Sequence, residues 1–219
     1  MMKLSRYGGN PNIGVFSVAN ENFAFVAYDT SDEFIEELAE VLNVKAVKTT
    51  VAGTFVVGSL VAMNTNGAIV SGLADEDELK IIRELLPVAL LEDRFNAAGN
   101  NILVNDKGAI VNPDIDKASL KRISDILGVE CVKGTIAGLN TVGSVCRATN
   151  KGAAIHPEAT DEDIQMIKDV LKVDVVRTTL NHGCRFVAPC VVANSKGAIV
   201  GDITTPIEMG KLEDALGLY

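Results

Sequence analysis

One short pattern recurs along this chain at a nearly constant interval. In its clearest form an asparagine-led turn is followed by Gly-Ala-Ile-Val, as in the stretch from Asn194 to Val200. The five copies begin at Asn20, Asn64, Asn105, Asn150 and Asn194. The first copy is degenerate, with Phe23 at the glycine position, yet in all five the leucine that ends the next helical pattern lies 19 residues after that position. A fixed repeat of roughly 40 to 45 residues is typical of repeat architectures, and it constrains the fold more than any single motif does.

Each repeat predicts the same order of secondary structure. The asparagine–glycine segment lies between apolar β-branched residues and indicates a hairpin, because asparagine and glycine accept the turn conformation. A Ser, Thr or Asp then precedes an acidic turn and apolar residues at helical spacing, as in Thr160 followed by Ile164 and Ile167, which predicts a capped amphipathic helix. A run rich in Val and Thr follows. The predicted unit is strand, strand, helix, strand, and its closing glycines are Gly9, Gly53, Gly99, Gly138 and Gly183.

The spacing of the closing glycines predicts how the units join. The next hairpin position follows after 14 residues in four units, but after only 9 between Gly99 and Gly108, so the third unit is the least regular. The last unit has no third strand before Tyr219, and the segment from Met1 to Tyr7 supplies one. Closure of this kind removes open sheet edges.

We therefore predict a closed five-bladed α/β ring with strands toward the axis and helices outside. It forms a single domain over residues 1–219, and we expect a monomer. The predicted repeats are 10–53, 54–99, 100–138, 139–183 and 184–219, the last completed by 1–9.

Charge restricts the classes of partner. The chain has 20 basic and 29 acidic residues and a net charge of −9, whereas binding of nucleic acid through phosphates needs a basic face. We therefore expect no DNA binding, and complementary charge favours a basic protein partner. No apolar run has the length of a membrane span, and the first residues do not form a signal-peptide pattern. We expect no membrane association and a cytoplasmic location.

The cysteines and histidines do not form a pattern that predicts chemistry. The four cysteines, Cys131, Cys146, Cys184 and Cys190, lack C-x-x-C spacing, and we interpret them as reduced, mainly buried thiols, with Cys184 alone in a loop that favours exposure. His156 and His182 lie at loop positions without clustered ligands. We therefore predict no metal, no cofactor and no catalytic residue.

Several segments together resemble the translation initiation factor 6 family. They are Asn12–Phe16, Glu92–Asn100, Val111–Asp116, Ile155–Pro157 and Thr179–Gly183. The resemblance covers essentially the whole chain and implies the pentein fold, which is a five-bladed α/β propeller. This chain resembles the short archaeal form, since it lacks the C-terminal tail of the eukaryotic proteins.

The same resemblance implies a non-enzymatic factor in protein biosynthesis and ribosome biogenesis. Such a factor binds the large ribosomal subunit on its intersubunit face and blocks joining of the small subunit. Its contacts are implied to be chiefly with basic ribosomal proteins near the sarcin–ricin loop, with limited contact to rRNA. An acidic ring would suit such partners.

The links after the closing glycines supply candidate docking residues. Pseudo-symmetry predicts that they emerge on one side of the ring with amides, apolar side chains and few charges, which suits protein docking, although ordinary turn chemistry also explains the asparagines. Asn100 is the strongest candidate, because it ends the segment that most resembles the family. Arg94 either anchors the docked partner or donates a hydrogen bond to a loop carbonyl within the chain. The candidate ribosome-binding residues are Asn10, Asn12, Thr54, Phe55, Arg94, Asn100, Asn101, Asn140, Arg185 and Phe186.

Two other functions stay open. Penteins also include hydrolases that modify guanidine groups with a cysteine nucleophile, and here Cys184 or Cys190 with His156 and an aspartate would be the candidates. However, Cys190 aligns with Leu60 and Val145, which favours a position in the core. The third possibility is a scaffold that binds some other macromolecule.

Overall fold

Five small sheets of three strands each form the frame of the structure, a computed structural model that describes residues 1–219. In four sheets, two antiparallel strands joined by a hairpin are followed by a parallel strand from the same unit. The predicted order of strands within a unit is therefore confirmed. The strands are β1 Met2–Ser5, β2 Ser17–Ala19, β3 Phe23–Ala27, β4 Lys45–Thr49, β5 Val61–Met63, β6 Ala68–Ser71, β7 Val88–Leu91, β8 Ile102–Val104, β9 Ala109–Val111, β10 Cys131–Lys133, β11 Cys146–Ala148, β12 Gly152–Ile155, β13 Asp174–Arg177, β14 Val191–Ala193 and β15 Ala198–Gly201.

The N-terminal strand completes the fifth sheet. β1 pairs in parallel with β15, with Met2 opposite Ala198 and Ser5 opposite Gly201, while β15 pairs antiparallel with β14. The first strand of each unit also contacts the first strands of both neighbouring units, so that β2, β5, β8, β11 and β14 surround one axis. The predicted closed five-bladed α/β ring is confirmed.

Long and short helices alternate along the chain. The long helices present apolar stripes to the sheets, as with Leu38 and Leu42 in the first and Ile123 and Leu127 in the third, all buried. Side chains of Ser, Thr or Asp cap the N-terminus of each long helix, and three of them form full capping boxes. None of the helices has the length and apolar character that a bilayer crossing demands. The helices are α1 Ile13–Phe16, α2 Asp32–Leu42, α3 Val57–Leu60, α4 Glu76–Arg83, α5 Ala98–Asn101, α6 Lys117–Leu127, α7 Val142–Val145, α8 Asp161–Leu171 and α9 Pro206–Leu216.

The four-residue helices α1, α3, α5 and α7 were not predicted from the sequence. Each precedes the first strand of its unit, a 3-10 helix at Ala188–Cys190 takes this place in the fifth unit, and neighbouring members contact each other around the axis. A glycine lies second in each short helix. A Cβ atom added to Gly58 would lie 2.1 Å from the carbonyl oxygen of Gly14, and one added to Gly99 would lie 2.0 Å from that of Gly58. Glycine is therefore required where these backbones meet.

The predicted alignment of Gly99 with the other closing glycines is wrong. Gly9, Gly53, Gly138 and Gly183 have positive φ and lie in tight loops, whereas Gly99 lies inside α5. It corresponds instead to the glycines of the other short helices, each of which lies 9 residues before the hairpin position of its unit. The third unit is thus regular at this point, and the predicted repeat boundary between residues 99 and 100 falls within a helix.

Candidate docking face

Corresponding strands run in the same direction along the axis in all five units, so the ring has two different faces. The hairpin face carries the turns between the first and second strands, at residues 20–22, 64–67, 105–108, 149–151 and 194–197. The loop face, at the other end of the strands, carries the short helices, the turns after the second strands and four closing loops. These loops lie at residues 7–10, 51–54, 136–139 and 180–184.

Hydrogen bonds between units occupy the asparagines of the hairpin face. The side-chain amide of Asn20 donates to the carbonyl oxygen of Asn64 at 2.8 Å, and that of Asn64 donates to the carbonyl oxygen of Asn105 at 3.2 Å. Asn105 bonds the turn at Thr149 in the same way, and Asn194 bonds Asn20. The repeated asparagine is therefore structural, because it makes four of the five junctions between neighbouring hairpins; Thr149 takes its place in the fourth unit and bonds only within its own turn.

The loop face carries half of the ten large apolar side chains that are exposed in this chain. Five of them, which we call the apolar rim, are Tyr28, Phe55, Leu73, Phe186 and Ile203. Tyr28 and Leu73 are each 67% exposed, whereas no hairpin turn exposes a large apolar side chain. Surface apolar groups that cluster on one side of a protein mark an interaction site more often than isolated ones do.

Three members of the apolar rim were missed in the sequence. Leu73 and Ile203 are the second residues of turns that follow second strands, where the other units carry Asp29, Asp114 and Glu158. Tyr28 immediately precedes Asp29 in the same kind of turn. An apolar residue at a position that is otherwise acidic was the signal that could have identified Leu73 and Ile203.

The predicted residues of the first two closing loops differ in accessibility. Asn10 and Thr54 are exposed, and each shares a backbone bridge within its loop. The Thr54 hydroxyl donates to the Val51 carbonyl oxygen at 3.0 Å, while Phe55 is exposed as predicted. Asn12 is half-buried, and its Oδ1 accepts a 3.2 Å hydrogen bond from the side-chain amide of Asn181. Asn12 therefore helps to hold the first unit against the closing loop at residues 180–184.

The predicted residues of the last two closing loops are exposed but paired. The side-chain amide of Asn140 donates to Asp114 at 2.9 Å. Arg185 forms an ion pair with Glu158, so its charge is compensated at the surface. Phe186 is exposed on one side and meets the ring of His156 edge-on, with 6.1 Å between the ring centroids.

Asn100 and Asn101 have opposite environments, although they are neighbours. Asn101 is only 5% exposed, and its side-chain amide donates to the carbonyl oxygens of Phe95 and Ala97 at 3.1 and 2.9 Å. The expectation that Asn101 lies on an exposed link is therefore wrong. Asn100 is half-buried on the loop face near the axis, and its side chain makes no hydrogen bond within the chain.

Arg94 stacks on its neighbour instead of bonding a loop carbonyl. Its guanidinium carbon lies 4.6 Å from the centroid of the Phe95 ring, which is cation–π geometry. The side chain is exposed on the loop face. Neither of the two predicted roles included this contact.

Acidic capping residues of the long helices hold the closing loops in place. Glu78 accepts hydrogen bonds from the backbone N–H groups of Ala52 and Gly53 at 2.8 and 2.9 Å. Glu208 accepts from the backbone of Gly183 at 2.8 Å and from the Thr179 hydroxyl at 2.7 Å. Burial opposes ionisation of Glu208, but the hydrogen bonds that it accepts lower its pKa to about 2. Both carboxylates therefore fix the loops that carry candidate docking residues.

The structure does not bring a thiolate and a base together at the candidate hydrolase residues. The Cys190 thiol donates to the Phe186 carbonyl oxygen at 3.3 Å, and burial raises its pKa. The Cys184 thiol faces the same oxygen at 3.5 Å. Nδ1 of His156 accepts from the backbone N–H of Glu158 at 3.1 Å, and burial lowers the pKa of this imidazole. Neither cysteine thus has the basic partner that activates a nucleophile.

A closed ring of five α/β units, with one face held by hydrogen bonds and the other lined by apolar and amide groups, defines the class of pentein-type propellers. The profile of the eIF-6 family matches residues 2–215. The chain is 40% identical to translation initiation factor 6 of Methanosphaerula palustris over 217 residues, which cover 99% of this chain and 98% of that one. It is 42% identical to the protein of the same name from Methanococcoides burtonii, over 99% of both chains. The chain belongs to the eIF-6 family, and the resemblance found in its sequence is confirmed.

Proposed function

We propose that this protein binds the large ribosomal subunit through its loop face and thereby prevents the small subunit from joining. Membership of the eIF-6 family supports a role in translation, as does the name that its relatives share. The observation that carries the choice of face is the location of the apolar rim together with the free side-chain amide of Asn100. On the hairpin face, the corresponding amides are used within the ring.

The chemistry of the loop face favours a protein partner over RNA. Arginines on this face have partners within the chain: Arg6 pairs with Asp202 and Arg185 with Glu158, and Arg94 stacks on Phe95. These guanidinium groups are therefore less available to displace counterions from phosphates. A net charge of −9 would instead speed encounter with basic proteins of the large subunit.

The proposed mechanism is steric and requires no rearrangement of the factor. Glycine contacts lock the short helices together, and Glu78 and Glu208 hold the closing loops. Binding then restricts few side chains, so little conformational entropy is lost and the affinity is preserved. In this proposal the protein acts in the cytoplasm as a monomer, and the same docking contributes to maturation of the large subunit.

A subunit-joining assay tests this function. Purified large subunits from a related archaeon are incubated with the protein before small subunits are added, and joined ribosomes are separated on a sucrose gradient. We expect fewer joined ribosomes when the protein is added first, with the protein in the large-subunit fraction. An unchanged joined fraction would contradict the anti-association role, and absence from the large-subunit fraction would favour a scaffold for another partner.

A further inference from the structure

Arg147 is the one charged residue at its position in the five first strands. It lies in the middle of β11, where the other units carry Val18, Ala62, Leu103 and Val192, all buried. Four of five units therefore place an apolar side chain there. Arg147 itself is half-buried, and a lone arginine so close to the axis calls for a physical reason, because withdrawing a charge from water without a partner is unfavourable.

Two small cavities meet at the Arg147 side chain. One, of about 10 Å³, lies within the ring of short helices and includes Ser59 and Asn100 in its lining. The other, of about 30 Å³, lies among the first strands and is mainly apolar. Since one water-sized sphere needs roughly 10–15 Å³ by this measure, each cavity has room for only one or two small spheres, which suits an ion of chloride size better than sulfate or phosphate.

The Arg147 guanidinium keeps unused hydrogen-bonding capacity in this space. Nη2 donates to the Ala188 carbonyl oxygen at 3.3 Å, whereas the buried Nε has no hydrogen-bond partner in the protein. No acidic side chain lines either cavity. Burial lowers the pKa of Arg147 to about 10, so the group still carries its charge at neutral pH. The axis therefore holds a cation without a protein counter-charge.

We propose that the axial cavity binds one small monovalent inorganic anion, of the size of chloride or bromide, through the guanidinium of Arg147. The Ser59 hydroxyl lines the same space and supplies a further donor. The anion compensates a charge that the apolar surroundings would otherwise leave unpaired. This site goes beyond docking to the ribosome and does not depend on it.

Thermal unfolding in matched salts tests the proposal in solution. At pH 7 and constant ionic strength, replacing gluconate, which is too large for the cavity, by chloride should raise the melting temperature by about 2–4 °C. An Arg147→Met variant should lose this difference, because methionine suits the apolar position but does not attract an anion. An Arg83→Met variant, which changes an exposed arginine on α4, should keep it. An equal chloride effect in the wild type and in Arg147→Met would overturn the proposal.

Crystals grown in sodium bromide locate the ion directly. We expect an anomalous peak within hydrogen-bonding distance of the Arg147 guanidinium in the wild type, and no peak there in Arg147→Met. This measurement also decides the matter if the variant does not fold, since it needs only the wild-type protein. No bromide peak at Arg147 in wild-type crystals would overturn the proposal.

Discussion

The side-chain amide of Asn112 donates a 2.7 Å hydrogen bond to Oδ1 of Asn101. This bond ties the end of β9 to the short helix α5 and completes the hydrogen bonding of a buried asparagine. Asn100, the adjacent residue, leaves its own amide free at the loop face. Of these two neighbouring asparagines, Asn101 stabilises the fold, whereas the side-chain amide of Asn100 is available to a partner.

Asn101→Ala should destabilise the protein by about 1–3 kcal/mol, because the amide of Asn112 and the carbonyls of Phe95 and Ala97 lose buried partners. Asn100→Ala should change stability by less than about 0.5 kcal/mol. Urea unfolding followed by circular dichroism measures both variants. Equal destabilisation by the two substitutions would mean that Asn100 is also structural.

Leu73→Asp should weaken binding to the large subunit about tenfold while the protein stays folded. Aspartate or glutamate already occupies this turn position in three units, so the backbone tolerates it, but a charge would remove an apolar contact from the rim. Ile81→Asp, on the exposed side of α4, is the matched control and should bind normally. A titration of labelled protein with large subunits reports the affinities. Normal binding by Leu73→Asp would remove Leu73 from the docking surface.

Glu208→Gln should cost about 2 kcal/mol of stability at neutral pH, since charged hydrogen bonds to the closing loop become neutral ones. The pKa of Glu208 is lowered from 4.5 to about 2 in the folded state. Its stabilisation is therefore present above about pH 4.5 and is lost as the pH falls toward 2.

Between pH 4.5 and 2, the unfolding free energy of Glu208→Gln should therefore fall less steeply than that of the wild type. Glu162→Gln, which changes an exposed residue in the first turn of α8, should keep the wild-type pH profile. Unfolding free energies measured across this pH range compare the three proteins. Identical profiles for Glu208→Gln and the wild type would show that the carboxylate does not hold the loop.

Cys184 should react with a maleimide before the other thiols. It is half-buried in a closing loop, whereas Cys146 and Cys190 are buried, and burial raises the pKa of Cys131 to about 11. Peptide mass spectrometry after short labelling gives the order. Rapid labelling of Cys190 in the native protein would show an activated thiol. Release of ammonia or citrulline from arginine or agmatine would restore the hydrolase alternative if this activity vanished in Cys190→Ala.

The repeat predicted most of the architecture, because the spacing from hairpin to helix end is constant and the chain ends supply complementary strands. It failed at Gly99, since glycine serves two purposes that sequence alone does not separate: positive φ in the closing loops and close backbone approach in the short helices. The constant spacing of 9 residues from Gly14, Gly58 and Gly143 to their hairpin positions was the signal that was missed.

The candidate site was less predictable, because accessibility depends on packing between units. Asn101 aligns with Phe16, Leu60 and Val145, which are apolar, so its buried position could have been inferred from the same register that placed Cys190. The pairing of Asn140 with Asp114 and the stacking of Arg94 on Phe95 depend on side-chain geometry that spacing does not specify.

Binding of isolated archaeal large subunits by two arginine variants tests the docking face most directly. Asn100→Arg places a large charged side chain on the loop face, and Asn22→Arg makes the same change at an exposed position of a hairpin turn. We expect Asn22→Arg to co-sediment with large subunits like the wild type and Asn100→Arg to be at least about tenfold weaker, a difference of ~1.4 kcal/mol, with similar melting temperatures for both. Full binding by Asn100→Arg together with loss of binding by Asn22→Arg would show that the hairpin face docks instead.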